Sequence, residues 1–251
     1  MSKLGLMEVV SNEPLAKDVH KMVIRGEIAD AITNPGQFMN IKLEDGYNTY
    51  LRRPMSINDY EGDTVTFIYK VVGKGTKLLT QKVPGDKLDV LMGLGNGFSV
   101  EKISKALIIG GGVGVPPMYK LAKMYHEQGT EVEVVLGFNS KCDVFYEEEF
   151  AKLGKTYVAT MDGSYGEKGN VIDVIKKYGI TYDKYYACGP EKMLDALVLF
   201  DDQNGYLSFE ARMGCGFGAC MGCSCKVKTK PYKRICVEGP VLMSSEVIIN
   251  E

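Results

Sequence analysis

The spacing of hydrophobic and polar positions changes about 100 residues into the chain. Before that point, short segments alternate or run apolar between Pro and Gly breaks, which is the pattern of β-strands. The clearest segments are VHKMVIRGEI, QFMNIKLE, TVTFIYKVV and KLDVLMG, with breaks at Asn34-Pro35-Gly36 and Pro84-Gly85-Asp86. Several short strands at this spacing predict a small β-barrel over residues 1–100.

Residues 101–204 alternate strand patterns with helix patterns. The apolar segments ALIIG, EVEVVLGF, TYVATMD and KYYACG predict strands, and MYKLAKMYHEQG, VFYEEEFAKLG, NVIDVIKKYG and PEKMLDALVLF predict helices. This alternation is typical of a doubly wound parallel sheet. Residues 205–251 are rich in Gly and Cys and poor in apolar residues, which predicts a small subdomain that needs a metal to fold. The expected fold class is therefore multidomain, β followed by α/β.

Composition and charge narrow the possible functions only a little. The chain has 251 residues, of which 45% are hydrophobic and 25% charged, as in ordinary globular proteins. Its net charge of −2 gives no electrostatic support for binding nucleic acid or an anionic membrane. The start, MSKLGLMEVV, lacks the apolar stretch of a signal peptide, and no apolar run reaches the length of a membrane-spanning helix. We therefore expect a cytoplasmic protein.

Five of the seven cysteines fall within 22 residues, at Cys215, Cys220, Cys223, Cys225 and Cys236. In a cytosolic chain such crowding favours a metal or a cluster over disulfides. The first three have C-x4-C-x2-C spacing, which is the plant-type [2Fe–2S] arrangement and needs one further, distant cysteine. Zinc is the alternative, but zinc ligands more often come as C-x2-C pairs, and only one such pair is present.

The fourth ligand of this predicted cluster is either Cys225 or Cys236. Cys225 is separated from Cys223 by one residue, and we expect its side chain to point away from the face that Cys223 uses. Cys236 can return to the site on a strand or hairpin of its own. We prefer Cys236 and expect Cys225 to be a small buried residue.

Two segments of the β-rich region carry signals for a flavin. The first, RRPMSI at residues 52–57, offers an arginine that can fork onto a pyrophosphate and a serine that can reach the edge of a flavin ring. The second, KVVGKGT at residues 70–76, has glycines that permit close approach and a threonine that opens a helix, whose amides suit phosphate. Each alone fits an ordinary strand end or glycine turn. Their order and spacing within a β-barrel favour a flavin site.

Two turns of the α/β region predict a nucleotide crevice. GGGVGVPP at residues 110–117 follows a strand and precedes a helix, where a dinucleotide phosphate binds. It is not a strict G-x-G-x-x-G, since two prolines replace its third glycine, but proline is tolerated in a first helical turn. The second turn, Cys188-Gly189-Pro190-Glu191, also joins a strand to a helix. Taken alone, Cys188 fits a buried strand-end residue.

The charge near the third predicted strand of this region bears on the form of the nucleotide. A 2′-phosphate needs basic partners. The turn MDGSYG at residues 161–166 carries Asp162 and no arginine, although Lys168 is close. This pattern favours NAD over NADP.

In this order, RPMS, VVGKGT, GGGVGVPPM and CGPEKM resemble the ferredoxin–NADP reductase superfamily, in which an FAD-binding barrel precedes a pyridine nucleotide domain. CGFGACMGC…C resembles, more narrowly, the electron transfer subunits of type B dihydroorotate dehydrogenases. The similarity covers essentially the whole chain in motif order and length. In related bifurcating enzymes the first cluster ligand is commonly an aspartate, so Cys215 favours the dihydroorotate branch.

The resemblance implies a set of cofactor contacts. For FAD these are Arg53, Pro54, Met55, Ser56, Lys70, Val71, Val72, Gly75 and Thr76. For NAD we expect Gly111, Gly112, Val113, Gly114, Cys188, Gly189 and Pro190. The implied cluster ligands are Cys215, Cys220, Cys223 and Cys236, which leaves Cys225 free. Ser56 is expected beside the flavin N5 edge and Cys188 beside the nicotinamide, in a redox relay without a catalytic acid or base.

Such a chain converts between one-electron and two-electron carriers, because a flavin exchanges hydride with NAD and single electrons with a cluster. The resemblance implies that a partner subunit oxidises dihydroorotate at its FMN, within a heterotetramer of two copies of each, in pyrimidine (UMP) biosynthesis. His20 and His126 lie away from every motif, so a base for that oxidation is expected on the partner. One alternative is a flavin and iron–sulfur subunit of a hydrogenase or a ferredoxin–NAD(P)H oxidoreductase. Another is a zinc-stabilised interaction module.

Overall fold

The structure is a computed structural model that describes residues 1–43 and 49–249. The N-terminal unit is a seven-stranded antiparallel sheet with the strand order β4-β3-β7-β1-β2-β6-β5. Strands β1 to β7 are Lys3–Ala16, Val19–Arg25, Phe38–Lys42, Arg53–Ser56, Asp59–Glu61, Thr64–Lys70 and Lys87–Leu94. The unit also contains a 3-10 helix, Glu27–Ala31, and helix α1, Lys74–Leu79. Edge strand β4 also contacts β6, so the sheet curves around its core.

Alternation of side chains explains most of these strands. In β7 every second residue is buried, and these residues are Leu88, Val90, Met92 and Leu94. This period of two places one face of the strand on the core. β1 is the longest strand, yet its sequence pattern does not predict it. Leu4 and Leu6 are exposed and only Met7 and Val9 reach the core, so its hydrophobic pattern is weak.

The second sheet is parallel apart from its last strand and has the order β11-β10-β9-β8-β12-β13-β16. Its strands β8 to β13 are Lys105–Gly111, Glu131–Phe138, Lys155–Thr160, Glu167–Lys168, Lys184–Cys188 and Gly205–Ser208, and β16 is Val241–Met243. Helices α2 to α5 are Pro116–Glu127, Glu147–Ala151, Val171–Tyr178 and Glu191–Phe200. Strand order reverses between β8 and β12, which creates the crevice typical of doubly wound sheets. The predicted fold class is confirmed.

Helix boundaries follow from local chemistry. Asn170 caps α4 by accepting hydrogen bonds from the backbone of Ile172 and Asp173, and Gly179 ends the helix in a left-handed conformation. The predicted helix VFYEEEFAKLG is shorter in the structure, since only Glu147–Ala151 is helical. Its three consecutive glutamates follow Tyr146, which has a positive φ of 66° and therefore cannot belong to the helix.

The cysteine-rich segment packs against both sheets. Strand β14, Ser224–Cys225, pairs antiparallel with β15, Lys233–Arg234, and β16 then joins the second sheet beside β13. One buried core combines Phe38 of the first sheet, Leu107 of the second, and Cys236. The division of the chain at residue 204 stays a prediction; strands on both sides of that position belong to one sheet.

Asn58 ties the first unit to the second. Its side-chain amide donates a hydrogen bond of 3.0 Å to the carbonyl of Pro116 and accepts one of 2.9 Å from the Tyr146 hydroxyl. Nearby, the Lys120 ammonium lies 3.0 Å from a carboxylate oxygen of Asp59. Within the described ranges, no helix is long and apolar enough to cross a membrane.

Candidate flavin, nucleotide and iron–sulfur sites

Four of the five clustered cysteines come together in two pairs. The thiols of Cys215 and Cys220 interact with each other, as do those of Cys223 and Cys236, and Cys236 is also within electrostatic reach of Cys215. A [2Fe–2S] cluster has two irons and four cysteine ligands, so two neighbouring pairs fit it. A single zinc ion would require all four around one point. Across residues 1–43 and 49–249, no group of three or more His, Cys, Asp or Glu side chains is arranged to hold a metal ion.

Backbone N–H groups of the loop point at the sulfur atoms. Those of Ala219 and Cys220 lie 3.2 and 3.4 Å from Cys215 Sγ, and that of Cys236 lies 3.4 Å from Cys223 Sγ. The loop turns this tightly because Gly216 and Gly218 have positive φ angles of 78° and 91°. Donors of this kind stabilise negative charge on sulfur, so the loop fits an anionic cluster.

Electrostatics distinguish the two pairs of cysteines. Burial raises the pKa of Cys215, but N–H groups of Cys220, Phe217 and Ala219 and the Cys220 thiol outweigh it and lower the pKa to about 6. For Cys236, burial and the neighbouring Cys223 thiol raise the pKa to about 12. Since metals bind the thiolate, Cys215 is the better prepared first ligand.

Cys225 takes a different position from the four paired cysteines. It lies in β14 opposite Lys233, is half-buried, and packs against the core that includes Cys236. Burial raises the pKa of its thiol. The arrangement supports Cys236 as fourth ligand, and the ligand set stays a prediction.

The two flavin signals meet in space. A Cβ atom at Gly75 would lie 2.7 Å from Nε of Arg53, so the glycine allows α1 to approach the arginine of β4. Arg53 also donates to the carbonyl of Leu51. The preceding Arg52 instead forms an ion pair of 2.9 Å with Asp89. This contrast favours a structural role for Arg52 and leaves Arg53 as the candidate phosphate ligand, which stays a prediction.

The remaining flavin candidates lie in the turn at residues 70–76 and in β4. Thr76 Oγ1 accepts hydrogen bonds from the backbone N–H groups of Val72 and Gly73, at 2.9 and 3.2 Å. Lys70 Nζ lies 3.8 Å from an oxygen of Asp143, and the Val71 N–H donates to the carbonyl of Asp18. In β4, Pro54 is exposed while Met55 packs partly on the barrel core. These contacts order the turn beside β4, although the flavin ligands themselves stay predictions.

The predicted nucleotide turns lie against each other at the carboxyl ends of β8 and β12. A methyl group at Gly114 would overlap the carbonyl oxygen of Cys188 and lie 2.5 Å from the nitrogen of Gly189. A Cβ atom at Gly189 would lie 3.1 Å from the Cα atom of Gly111. Only glycine permits the two turns to approach this closely. The starts of helices α2 and α5 therefore face one crevice, where their backbone N–H groups can bind phosphate.

Two cavities flank these turns and share Gly111, Gly112 and Pro190 as a common wall. The larger, of about 760 Å³, reaches from the turns to Glu210 and to the cluster segment at Cys223 and Cys225. The smaller, of about 430 Å³, is mostly apolar; its lining includes Asn139, Met161, Asn170, Lys192 and Met193. Cavities of this size accommodate a dinucleotide or a flavin ring. The larger one places nucleotide turns and cluster segment around a common space.

The candidate residues for selecting NAD lie at the end of β10. Asp162 accepts hydrogen bonds from the backbone and hydroxyl of Ser164, at 2.9 and 2.6 Å, and these bonds lower the pKa of its carboxyl. The aliphatic part of the Lys168 side chain lies beside Gly163. The turn therefore presents an ordered carboxylate, which favours a ribose hydroxyl over a phosphate.

Cys188 is buried, and its surroundings suppress its reactivity. Burial and the Glu210 carboxylate raise the pKa of the thiol to about 12, although a hydrogen bond with Ser208 lowers it. The thiol therefore stays protonated at neutral pH and is a poor nucleophile. The structure thus supports a packing or positioning role for Cys188 rather than a nucleophilic one.

We expect Cys188 to resist iodoacetamide in the native protein at pH 8, while the exposed Cys142 is alkylated readily. Peptide mass spectrometry after timed labelling would measure both, and labelling in denaturant provides the control. Alkylation of Cys188 at the rate of Cys142 would contradict this assignment.

Two candidate residues, Glu210 and Asn40, are not among the predicted site residues. The Glu210 side chain lines the larger cavity, which is open to solvent. Partial burial of its carboxyl raises the pKa of that group. Its position just beyond the parallel strand β13 was a usable signal, since ligands bind at such strand ends. Asn40 in β3 donates a hydrogen bond of 3.3 Å to the carbonyl of Cys215, 175 residues away. No local pattern marks that contact.

Models of two known domains match the cluster segment and the nucleotide-binding region. A model described as the iron-sulfur cluster binding domain of dihydroorotate dehydrogenase B matches residues 210–248, and one described as an oxidoreductase NAD-binding domain matches residues 108–198. The structure of an NADH-dependent reduced ferredoxin-NADP oxidoreductase aligns with a TM-score of 0.87 and 31% identity, covering 97% of this chain and 90% of that one. A cytochrome P450 reductase from Amycolatopsis shares the fold, with a TM-score of 0.68 over 79% of this chain and 66% of that one, at 17% identity.

Fold and sites together define an oxidoreductase of the ferredoxin–NADP reductase type with an added iron–sulfur domain. The dihydroorotate dehydrogenase B (NAD(+)) electron transfer subunit of Fusobacterium nucleatum subsp. nucleatum is 48% identical, covering 96% of this chain and 97% of that protein. Its counterpart in Geobacillus sp. (strain WCH70) is 46% identical over 99% of this chain and 100% of that protein. The chain belongs to this family of electron transfer subunits. The resemblance predicted from the motifs is confirmed.

Proposed function

We propose that this chain passes electrons from the FMN of a dihydroorotate dehydrogenase catalytic subunit, through a [2Fe–2S] cluster and FAD, to NAD⁺ in pyrimidine biosynthesis. The observation that carries the proposal is the larger cavity, which the nucleotide turns share with Cys223 and Cys225. With both cofactors bound, this cavity would bring a site for hydride exchange close to a site for single electrons. The 48% identity to a dihydroorotate dehydrogenase subunit favours this function over a ferredoxin-linked one, whose structural relative is 31% identical.

Residues of the flavin, nucleotide and cluster sites would each support electron transfer by holding or orienting a cofactor. FAD, when bound, exchanges two electrons with NAD and single electrons with a cluster. Arg53, beside Gly75, would hold the flavin pyrophosphate by forked hydrogen bonds. Gly114 and Cys188 hold the two nucleotide turns together, and the N–H groups that face Cys215 stabilise charge at the cluster.

The chain's histidines do not form a dihydroorotate site. His20 stacks on Tyr69 within the barrel, and the His126 ring lies 2.8 Å from the carbonyl oxygen of Leu153. Oxidation of dihydroorotate needs a positioned base. We place that base, with the FMN, on a partner subunit, in a cytoplasmic heterotetramer containing two copies of each.

Reconstitution with an FMN-type catalytic subunit tests this function. We expect dihydroorotate to drive reduction of NAD⁺ to NADH, followed by the absorbance of NADH, only when both subunits are present. Each subunit alone is the control, and light scattering of the complex would test the two-plus-two stoichiometry. Absence of dihydroorotate-driven turnover, with hydrogen or reduced ferredoxin active instead, would favour the hydrogenase or ferredoxin alternative.

A further inference from the structure

The side chain of Asn40 has one satisfied end and one unsatisfied end. It is 1% exposed, and Nδ2 donates to the carbonyl of Cys215 at 3.3 Å. Its Oδ1 atom is buried and has no hydrogen-bond partner among the residues that the structure describes. Buried acceptors are rarely left unpaired, because desolvation without a replacement hydrogen bond is costly. An unpartnered amide oxygen therefore points to a missing donor.

The direction of Asn40 follows from the alternation of side chains in β3. Met39 and Ile41 belong to the barrel core, whereas Phe38 belongs to the core shared with the second sheet and with Cys236. Asn40 has the same parity as Phe38 and therefore lies on the same face. That face points away from the barrel core, toward the core that is shared with the second sheet and with Cys236.

The flavin segment continues this face on the neighbouring strand. In the β3–β4 pairing, Asn40 lies opposite Pro54 and Phe38 lies opposite Ser56. Directly opposed residues of an antiparallel pair share a face. Asn40 is therefore adjacent to the two residues of β4 that are predicted to contact FAD on that side.

The cluster loop covers the other side of Asn40. Gly216 is buried, and a methyl group there would overlap Nδ2 of Asn40. Gly216 also has a positive φ of 78°, so glycine is required both by the conformation and by the contact. Asn40 thus lies between the first cluster ligand and the flavin segment.

We propose that Asn40 is a positioning residue shared by the two cofactor sites. Its Nδ2–H holds the carbonyl of Cys215, and its Oδ1 accepts a hydrogen bond from a ring N–H of FAD bound along Pro54 and Ser56. The isoalloxazine ring carries an imide N–H, which matches an amide oxygen as donor to acceptor. The proposal rests on the proposed function, since it requires FAD and the cluster in the same chain.

The test uses the full chain with its cofactors and compares N40A and N40D with N58A. Asn58 is the matched control, because it is a buried asparagine whose amide also donates to a distant backbone carbonyl. Its side chain bonds to Pro116 of the nucleotide turn and to Tyr146, and to neither the cluster loop nor β4. For each variant we would measure the FAD dissociation constant, the flavin midpoint potential, and the visible circular dichroism of the cluster. None of these three measurements depends on turnover.

For N40A we expect FAD binding to weaken about 2- to 10-fold, the ordinary worth of one hydrogen bond. The flavin potential and the cluster dichroism should both shift. Aspartate has nearly the same shape as asparagine and fills the same space. N40D therefore still tests the proposal if N40A does not fold. It retains acceptor oxygens but loses the donor to Cys215, so the cluster dichroism should change while FAD stays bound. The added negative charge beside the ring should move the flavin potential to more negative values.

Three results would overturn this role. The first is that FAD affinity, flavin potential and cluster dichroism are all unchanged in both Asn40 variants. The second is that N58A shows the same changes as the Asn40 variants, which would indicate a general packing effect. The third is a response of the cluster alone, with unchanged flavin potential and FAD affinity, which would mean that a group of the loop pairs with Oδ1 instead. If the unaltered chain bound no FAD or no cluster, the proposed function would fail together with this inference.

Discussion

Replacing Cys215 by serine is expected to abolish the visible absorption of the cluster while FAD remains bound. Cys215 Sγ receives two backbone hydrogen bonds, and its pKa is lowered to about 6, so it is the cysteine best prepared to act as a thiolate ligand. The flavin segment lies on a different sheet and keeps its own contacts. Absorption spectra and iron, sulfide and flavin analyses of the purified variant would measure the outcome.

The same substitution should also stop electron entry from the partner while sparing the reaction of the flavin with NADH. Cys225→Ser is the matched control, because Cys225 lies in the same segment but pairs with Lys233 in β14–β15. It should retain iron, colour and turnover. Loss of the cluster in Cys225→Ser, with retention in Cys236→Ser, would reverse our choice of the fourth ligand.

Gly114→Ala is expected to disrupt the nucleotide site. The new methyl group would overlap the carbonyl of Cys188, so the two turns must separate. Overpacking of this kind costs about 1–3 kcal/mol. Because the displaced groups form the crevice itself, we expect NAD affinity to fall at least about tenfold, corresponding to 1.4 kcal/mol. Titration calorimetry with NAD⁺ and thermal unfolding would separate the two effects.

Gly129→Ala controls for a general loss of stability. Gly129 follows α2 with a positive φ of 83°, and a methyl group there meets no atom within 4 Å. The substitution therefore introduces backbone strain without a steric clash. Its NAD affinity should remain that of the unaltered chain. Equal losses in both variants would show that the Gly114 effect comes from destabilisation and not from the crevice.

Local patterns were sufficient for most of the architecture. The change from strand alternation to strand–helix alternation located the two sheets, because burial of one face imposes a period that neighbouring residues must follow. The glycine turns and the cysteine spacing were equally local. The weak points were β1, with two exposed leucines on its surface, and α3, where a helix-favouring run of glutamates follows the left-handed Tyr146.

Some assignments needed contacts that no local pattern contains. Arg52 and Arg53 are adjacent and chemically identical; the resemblance singles out Arg53, and the ion pair of Arg52 with Asp89 supplies a physical reason that the residues alone do not. Similarly, the cluster segment looked separate by composition, yet β16 completes the second sheet. Composition reports the apolar content of a segment but not the surface on which that content is buried.

The sequence by itself determined the family and predicted the order of the sites and the chemistry of their ligands, since all three reside in residue types at short, regular spacing. Tertiary structure decided how the sites meet. It placed Cys223 on the cavity of the nucleotide turns, put Cys225 in a strand opposite Lys233, and put Asn40 against a loop 175 residues distant. Such contacts depend on how the two sheets and the cluster segment pack together, and packing between distant segments leaves no periodic trace in either one.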